Sequence, residues 1–421
     1  MPDLSHRPTR RSRGFVTAVA GAVLATLALS ACGSSSSSAD NSPAAGGSGS
    51  SGAAATGSPI KIGTVGTFGS TGSNGTAKAS AQAVQAWASS VNAAGGLDGH
   101  PVQVFAKDDQ GEAAKSLAAV KDLVENEHVV AIVGQHEAGL EQTWQSYVDA
   151  KKIPVIGGSA AGAEFLTDPN FYPVTNNPIN TIFATIYGAK LAGKTSFGAV
   201  YCAEFPACKN VVPLGQSLAK KLGLSFSGAV PLSGSATDYT AQCLTLRGQQ
   251  AAAVFTATQG GTSVRFIDNC RQQGYSPLFI NNPQNWTQDQ LSNSAWDGVL
   301  FTSDAPLWFG DGPGTAEYLA AVKKYQPDSV LDSSGTAGWY AAKVFQEAVE
   351  KSGATGDITA ADVTNGMHAL GPDFDLDGAL APVTYAAGKP AVQQSCGWYM
   401  AVKGGQETAP YGYGRKCAPA S

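Results

Sequence analysis

The sequence has little charge and few of the patterns that carry chemistry. Only 14% of its 421 residues are Asp, Glu, Lys or Arg. The net charge is −5 and no basic stripe occurs, which argues against nucleic acid as a partner. No CxxC pair occurs and the five histidines are scattered, so a metal site has no ligand set to start from. HExxH is absent. Gly63, Gly66, Gly69 and Gly72 recur every three residues, which is not GxGxxG, and no Lys-Ser/Thr pair follows as in a phosphate loop. Gly157-Gly158-Ser159-Ala160-Ala161 lacks the final Gly of a nucleophile elbow. With no evident Ser/His/Asp set, neither an enzyme nor a cofactor is expected.

What is present begins with an export signal. Arg7, Arg10, Arg11 and Arg13 precede an uncharged apolar run from Phe15 to Leu29. That run is too short for a comfortable membrane span and long enough for a signal segment. Leu29-Ser30-Ala31-Cys32 resembles a bacterial lipobox, which implies acylation of Cys32 as the mature N-terminus. Without residues 1–31 the chain carries 23 basic and 31 acidic side chains, a net −8, so attachment would come from acyl chains rather than charge. Gly33 to Gly57 has no aromatic residue and no periodicity. It reads as a flexible tether with a reach of about 25–30 Å.

Six further cysteines fit an oxidising compartment. Proximity pairs Cys202 with Cys208, Cys243 with Cys270, and Cys396 with Cys417, among fifteen possible pairings; free buried thiols are the alternative.

From Pro59 the pattern is regular. Strands are expected at Ile60 to Val65, Val102 to Phe105, Val129 to Val133 and Ile153 to Ile156, with helices between them. A second series starts near Pro178 and has strands at Ser196 to Tyr201, Ser225 to Val230, Ala251 to Thr256 and Pro277 to Ile280. Strand and helix alternating at this spacing mean parallel sheets, and two such series in a chain this long mean two α/β lobes. Ligands of such sheets sit beyond the carboxyl ends of the strands.

The runs PIKIGTVGTFGSTG, VNAAGGLDGHPVQVFAKDDQ, VVAIVGQHEAG and KKIPVIGGSAA resemble the Leu/Ile/Val-binding branch of the type I periplasmic binding proteins. SGSATDYTAQCLTLRGQQAAAVFTA, CRQQGYSPLFINNP and DGALAPVTYAAGKPAV continue the likeness, which spans roughly residues 59–403. The resemblance implies two Rossmann-like lobes joined by a hinge, with a small-molecule solute between them and the permease and ATPase of an ABC importer as partners. A sensor of the same fold feeding a membrane signalling protein is the alternative. The implied organisation is a signal peptide (1–31), a tether (32–57), lobe 1 (58–177), lobe 2 (178–300), a return to lobe 1 (301–378) and a lobe 2 tail (379–421).

The resemblance also implies ligand positions. Phe68, Gln135, His136, Glu137, Ser159, Ala161, Phe205, Gln259, Asn282 and Gln284 fall at strand ends that face the cleft, and Trp286 is a further aromatic candidate. Ala138 and Ala161 stand where amino-acid-binding members carry hydroxyls, and Gln284 where they carry an acid. A buried ammonium needs a carboxylate. Gln284 cannot supply one, which leaves Glu137. A neutral or partly apolar solute is expected, or a carboxylate held by backbone N–H groups at a helix N-terminus. Asp373 to Gly378 begins like a calcium loop, but Thr384 and Pro382 break the pattern, so it reads as an acidic turn before a strand at Val383.

Overall fold

The computed structural model describes residues 55–69, 76–137, 139–204, 206–283 and 291–419. Cys32, the expected signal segment and all of the expected tether before residue 55 lie outside these. Residues 51–421 form one compact unit.

The first lobe carries β1 (Ile60–Gly66), α1 (Thr76–Ala93), β2 (Val102–Asp108), α2 (Ala113–Glu125), β3 (Ala131–Val133), α3 (Gln145–Lys151), β4 (Val155–Gly157), α4 (Glu164–Thr167) and β5 (Phe171–Pro173). Its sheet runs β2-β1-β3-β4-β5 and every neighbouring pair is parallel. The pleat sends successive side chains to opposite faces. Ala131 and Val133 join the core under α1, whereas Ile132 joins the core under α2 and α3. Both faces are covered, so these strands read as continuous apolar runs.

The second lobe carries α5 (Pro178–Leu191), β6 (Ser196–Cys202), α6 (Val211–Lys221), β7 (Ser225–Leu232), α7 (Thr240–Gly248), β8 (Ala253–Ala257), α8 (Gly260–Gln272), β9 (Leu278–Asn281) and β10 (Leu300–Ser303). These strands are parallel in the order β7-β6-β8-β9-β10. After β10 the chain returns to the first lobe as α9 (Thr315–Tyr325), α10 (Ser333–Ser352) and α11 (Ala360–Ala369). A small antiparallel pair follows, β11 (Val383–Thr384) and β12 (Val392–Gln393). Then β13 (Cys396–Lys403) adds antiparallel to β10 and is flanked by β14 (Gln406–Thr408) and β15 (Lys416–Cys417). The strand expected near Val383 is therefore present as β11. In the turn before it, Arg415 pairs with Asp375 at 2.7 Å.

Helix α10 is the pillar of the first lobe. Asp332 caps its N-terminus by accepting from the Gly335 amide at 2.8 Å. Trp339, Tyr340 and Phe345 on it are all buried. It crosses α1 so closely that a Cβ on Gly338 would lie 2.3 Å from the Ser80 carbonyl oxygen. No side chain fits there without separating the helices.

Three segments join the lobes and are tied to one another. The Asn176 amide donates to Asp304 O at 3.2 Å, and its side chain donates to Cys396 O at 2.6 Å. Tyr385 donates to Pro173 O at 2.7 Å. Asn177 caps α5 at the crossing, and Pro178 sits in its first turn. The cysteines are bonded in the sequence-proximal pairs, Cys202–Cys208, Cys243–Cys270 and Cys396–Cys417.

Candidate functional site

In the second sheet the strand order reverses between β6 and β8, and an α/β sheet opens a crevice at such a point. A cavity of about 840 Å³ lies there. That volume suits a small solute. Glu204, from the loop after β6, lines it with Ser233 from the turn after β7. Thr258, Gln259 and Thr262 come from the β8–α8 junction, and Asn282 follows β9. Leu232 and Phe255 supply an apolar floor. Among the described residues the whole lining comes from the second lobe.

The polar rim is built rather than incidental. Glu204 Oε1 accepts from Ser233 Oγ at 2.8 Å and from the Gly234 amide at 2.7 Å. The Ser233 hydroxyl, then the backbone amides, hold this carboxyl below the usual range, so it is ionised at neutral pH. Arg265 grips the other side of the same turn, donating to Gly234 O at 2.8 Å. The Cys202–Cys208 bridge closes the loop that carries Glu204. Behind the rim, Asn281 donates to Thr256 Oγ1 at 2.6 Å and to Ser263 Oγ at 3.1 Å, which joins β8, α8 and β9.

In the first sheet the corresponding reversal lies between β1 and β3. Phe68 follows β1, half-buried, with its amide on Asp108 Oδ1. Gly66 and His136 form a parallel bridge that continues the strands. A Cβ on Gly66 would lie 2.8 Å from His136 O. Among the described residues His136 Nδ1 is buried without a partner, and burial pushes the ring down to about 4. His136 is thus neutral at physiological pH. Ser159 is buried after β4 and Ala161 is exposed beside it.

Two expected ligand residues point elsewhere. Gln135 is fully buried and spends its amide on the loops. It donates to Glu141 Oε1 and Ser159 O and accepts from the Gly158 amide. Glu137, the expected ammonium partner, is 2% exposed and turned inward. It accepts from Ser116 and from Trp144 Nε1 at 2.9 Å. Burial, then its bond with Asp109, raises it to about 9. Glu137 is therefore held protonated behind the wall, because two acids crowd a site that water cannot reach. Gln259 and Asn282 do line the cavity. Phe205, Gln284, Trp286 and Ala138 lie outside the described residues.

Glu204, Ser233, Thr258 and Thr262 were absent from the expected set. The signal for Glu204 was available, since it is the one acid inside the six-residue Cys202–Cys208 separation at a strand end. Ser233 and Thr262 gave no signal beyond their place after a strand.

Two parallel-sheet lobes with tied crossings and a cavity at a strand-order reversal define a two-lobed α/β binding protein. The chain belongs to the periplasmic binding protein family, whose model matches residues 59–406. It is 23% identical over 324 residues to Leu/Ile/Val-binding protein homolog 7 of Brucella melitensis, covering 71% of this chain and 80% of that one. The fold is that of a branched-chain amino acid ABC transporter protein from Thermus thermophilus with bound valine. The TM-score is 0.70 at 15% identity, over 86% of this chain and 98% of that one. It is equally that of a fatty acid ABC transporter substrate-binding protein from Thermomonospora curvata, with TM-score 0.69 at 18% identity over 87% and 95%. An ABC transporter solute-binding protein from R. palustris in complex with benzoate matches with TM-score 0.65 at 15% identity, over 85% of this chain and 97% of that one.

Proposed function

We propose that this chain is the solute-binding component of an ABC importer, taking a small molecule between its lobes and passing it, unconverted, to a membrane permease and ATPase. The cavity of about 840 Å³ at the second lobe's strand ends carries this reading. Its lining comes from one lobe, so hinge closure would bring Phe68, His136 and Ser159 over a seated solute and complete the enclosure. The three tied crossings are a short, bonded set of connections suited to such a motion. Relatives of the same fold hold valine and benzoate, two small molecules with little in common beyond a carboxyl group. Shared fold therefore leaves the ligand to be set by local side chains. A thermal-shift screen of the mature protein against amino acids, amines, amides, polyols and organic acids tests the proposal. A true ligand at a hundredfold its Kd should add about 2.7 kcal/mol. A broad library that shifts nothing would sink the importer reading.

The same proposal places the protein outside the cytoplasm on an acyl anchor at Cys32. Cys32→Ala should move the protein from the membrane pellet to the soluble fraction. Unchanged pelleting would remove the anchor from the proposal.

A further inference from the structure

We propose that the solute carries a cationic nitrogen and no carboxylate, and that Glu204 receives that nitrogen at the cavity wall. This deepens the solute-binding reading and rests on it. The first observation is where the negative charge stands. Glu204 lines the cavity, and it is fixed there twice, by the turn at Ser233 and Gly234 and by the Cys202–Cys208 bridge. Both hydrogen bonds from the turn end on one oxygen, Oε1.

The second observation is the scarcity of positive charge. The segments that follow the strands of the two parallel sheets in the sequence are residues 66–75, 108–112, 134–140, 157–163, 174–177, 202–209, 233–239, 258–259, 282–290 and 304–314. Lys209 is the one Lys or Arg among them. It lies past the bridge and is exposed. His136 is a half-buried, neutral ring whose Nδ1 is buried. Arg265 is not among the residues lining the cavity, and one of its nitrogens donates to Gly234 O in the turn and to Thr262 Oγ1 on α8. A carboxylate entering this cleft would meet the Glu204 charge with no Lys or Arg among the residues lining the cavity to offset it, and unpaired charge in a closing cleft is costly. An ammonium meets the opposite situation. Thr258, Gln259 and Asn282 can then bond the polar remainder of the solute, and Phe255 can cover its carbon skeleton.

Isothermal titration with two matched sets tests this: putrescine, 1,4-butanediol and succinate; and glucosamine, glucose and glucuronate. At least one amine should bind, at least about tenfold tighter than its uncharged and acidic counterparts, with affinity falling as salt is raised. Glu204→Gln keeps an acceptor for Ser233 and Gly234 and should abolish that preference without lowering the unliganded melting temperature. Tightest binding by an acid or uncharged member, binding by neither amine, or a preference that survives Glu204→Gln would each overturn the assignment. An acid that binds would leave the solute-binding reading standing, whereas silence across the broad screen would remove that reading itself.

Discussion

Melting temperature should fall by roughly 4–10 °C as pH rises from 6.5 to 8.5. The largest contributions come from a pair of buried acids behind the first lobe's strand ends, with smaller ones from Asp332 and Glu407, which burial raises to about 7. Glu137 is 2% exposed and Glu141 is 0% exposed. Burial first, then neighbouring acids for Glu137, raises Glu137 to about 9; burial raises Glu141 to about 8. In the unfolded chain both would titrate near 4.3. Between the unfolded and folded values the folded state holds more protons, so stability falls as pH rises, by up to about 1.4 kcal/mol per pH unit for each group. The acidic limit is set by His136, whose ring is pushed down to about 4 and must charge on unfolding below its ordinary value of 6.5. Its contribution is lost as pH falls, which is why the comparison starts at pH 6.5.

Glu137→Gln separates this cause from general charge effects. The amide can still accept from Trp144 Nε1 and can donate to Asp109, as the protonated acid does. The variant should melt higher than the parent at pH 8.5 and show a flatter profile. Differential scanning calorimetry across the range measures both. A parent profile that is flat or rises toward pH 8.5, or a variant with the parent's slope, would refute the assignment. Glu137→Ala makes the contrast, because it leaves Ser116 and Trp144 without their acceptor and should melt lower at every pH.

Much of the fold was legible because its strands are buried on both faces and end in glycine or acidic turns. The expectation of Ile60 to Val65 meets β1 at Ile60–Gly66, and that of Ser196 to Tyr201 meets β6 at Ser196–Cys202. Strand β5 was not legible, since it has three residues and ends at Pro173. The helix expected between the strands at Val129 to Val133 and Ile153 to Ile156 breaks into a 3-10 turn at Glu141–Thr143 and α3 from Gln145. Its break lies at Trp144, whose indole turns inward to Glu137, a tertiary contact that no periodicity encodes. The site was less legible for the same reason. Gln135 and Glu137 stand at a strand end, as ligand residues do, but spacing along a loop does not say which side chains face the cleft. Gln135 is taken up by Gly158 and Ser159 from the next loop, and Glu137 by Ser116 from α2. Glu204 depends on a turn some thirty residues later.

Replacing both Cys243 and Cys270 with Ala should cost about 3–4 kcal/mol and lower the melting temperature by roughly 5–15 °C. This bridge spans 27 residues and joins α7 to α8, and both cysteines are fully buried. Its loop is long enough for cross-linking to remove substantial entropy from the unfolded chain, and Ala in place of two buried sulfurs adds a small packing loss. Cys202–Cys208 differs in kind. Its separation is six residues, so the same reasoning assigns it a smaller stability effect, about 2 kcal/mol. Its loop carries Glu204, and loosening it would unseat the cavity wall. The two double variants should therefore split: the Cys243/Cys270 pair chiefly lowers melting temperature with ligand affinity kept, and the Cys202/Cys208 pair chiefly weakens binding. Alkylation of the denatured, unreduced protein should label none of the four cysteines. Labelled Cys243 and Cys270, or a double variant that melts with the parent, would mean that this bridge does not hold α7 and α8 together.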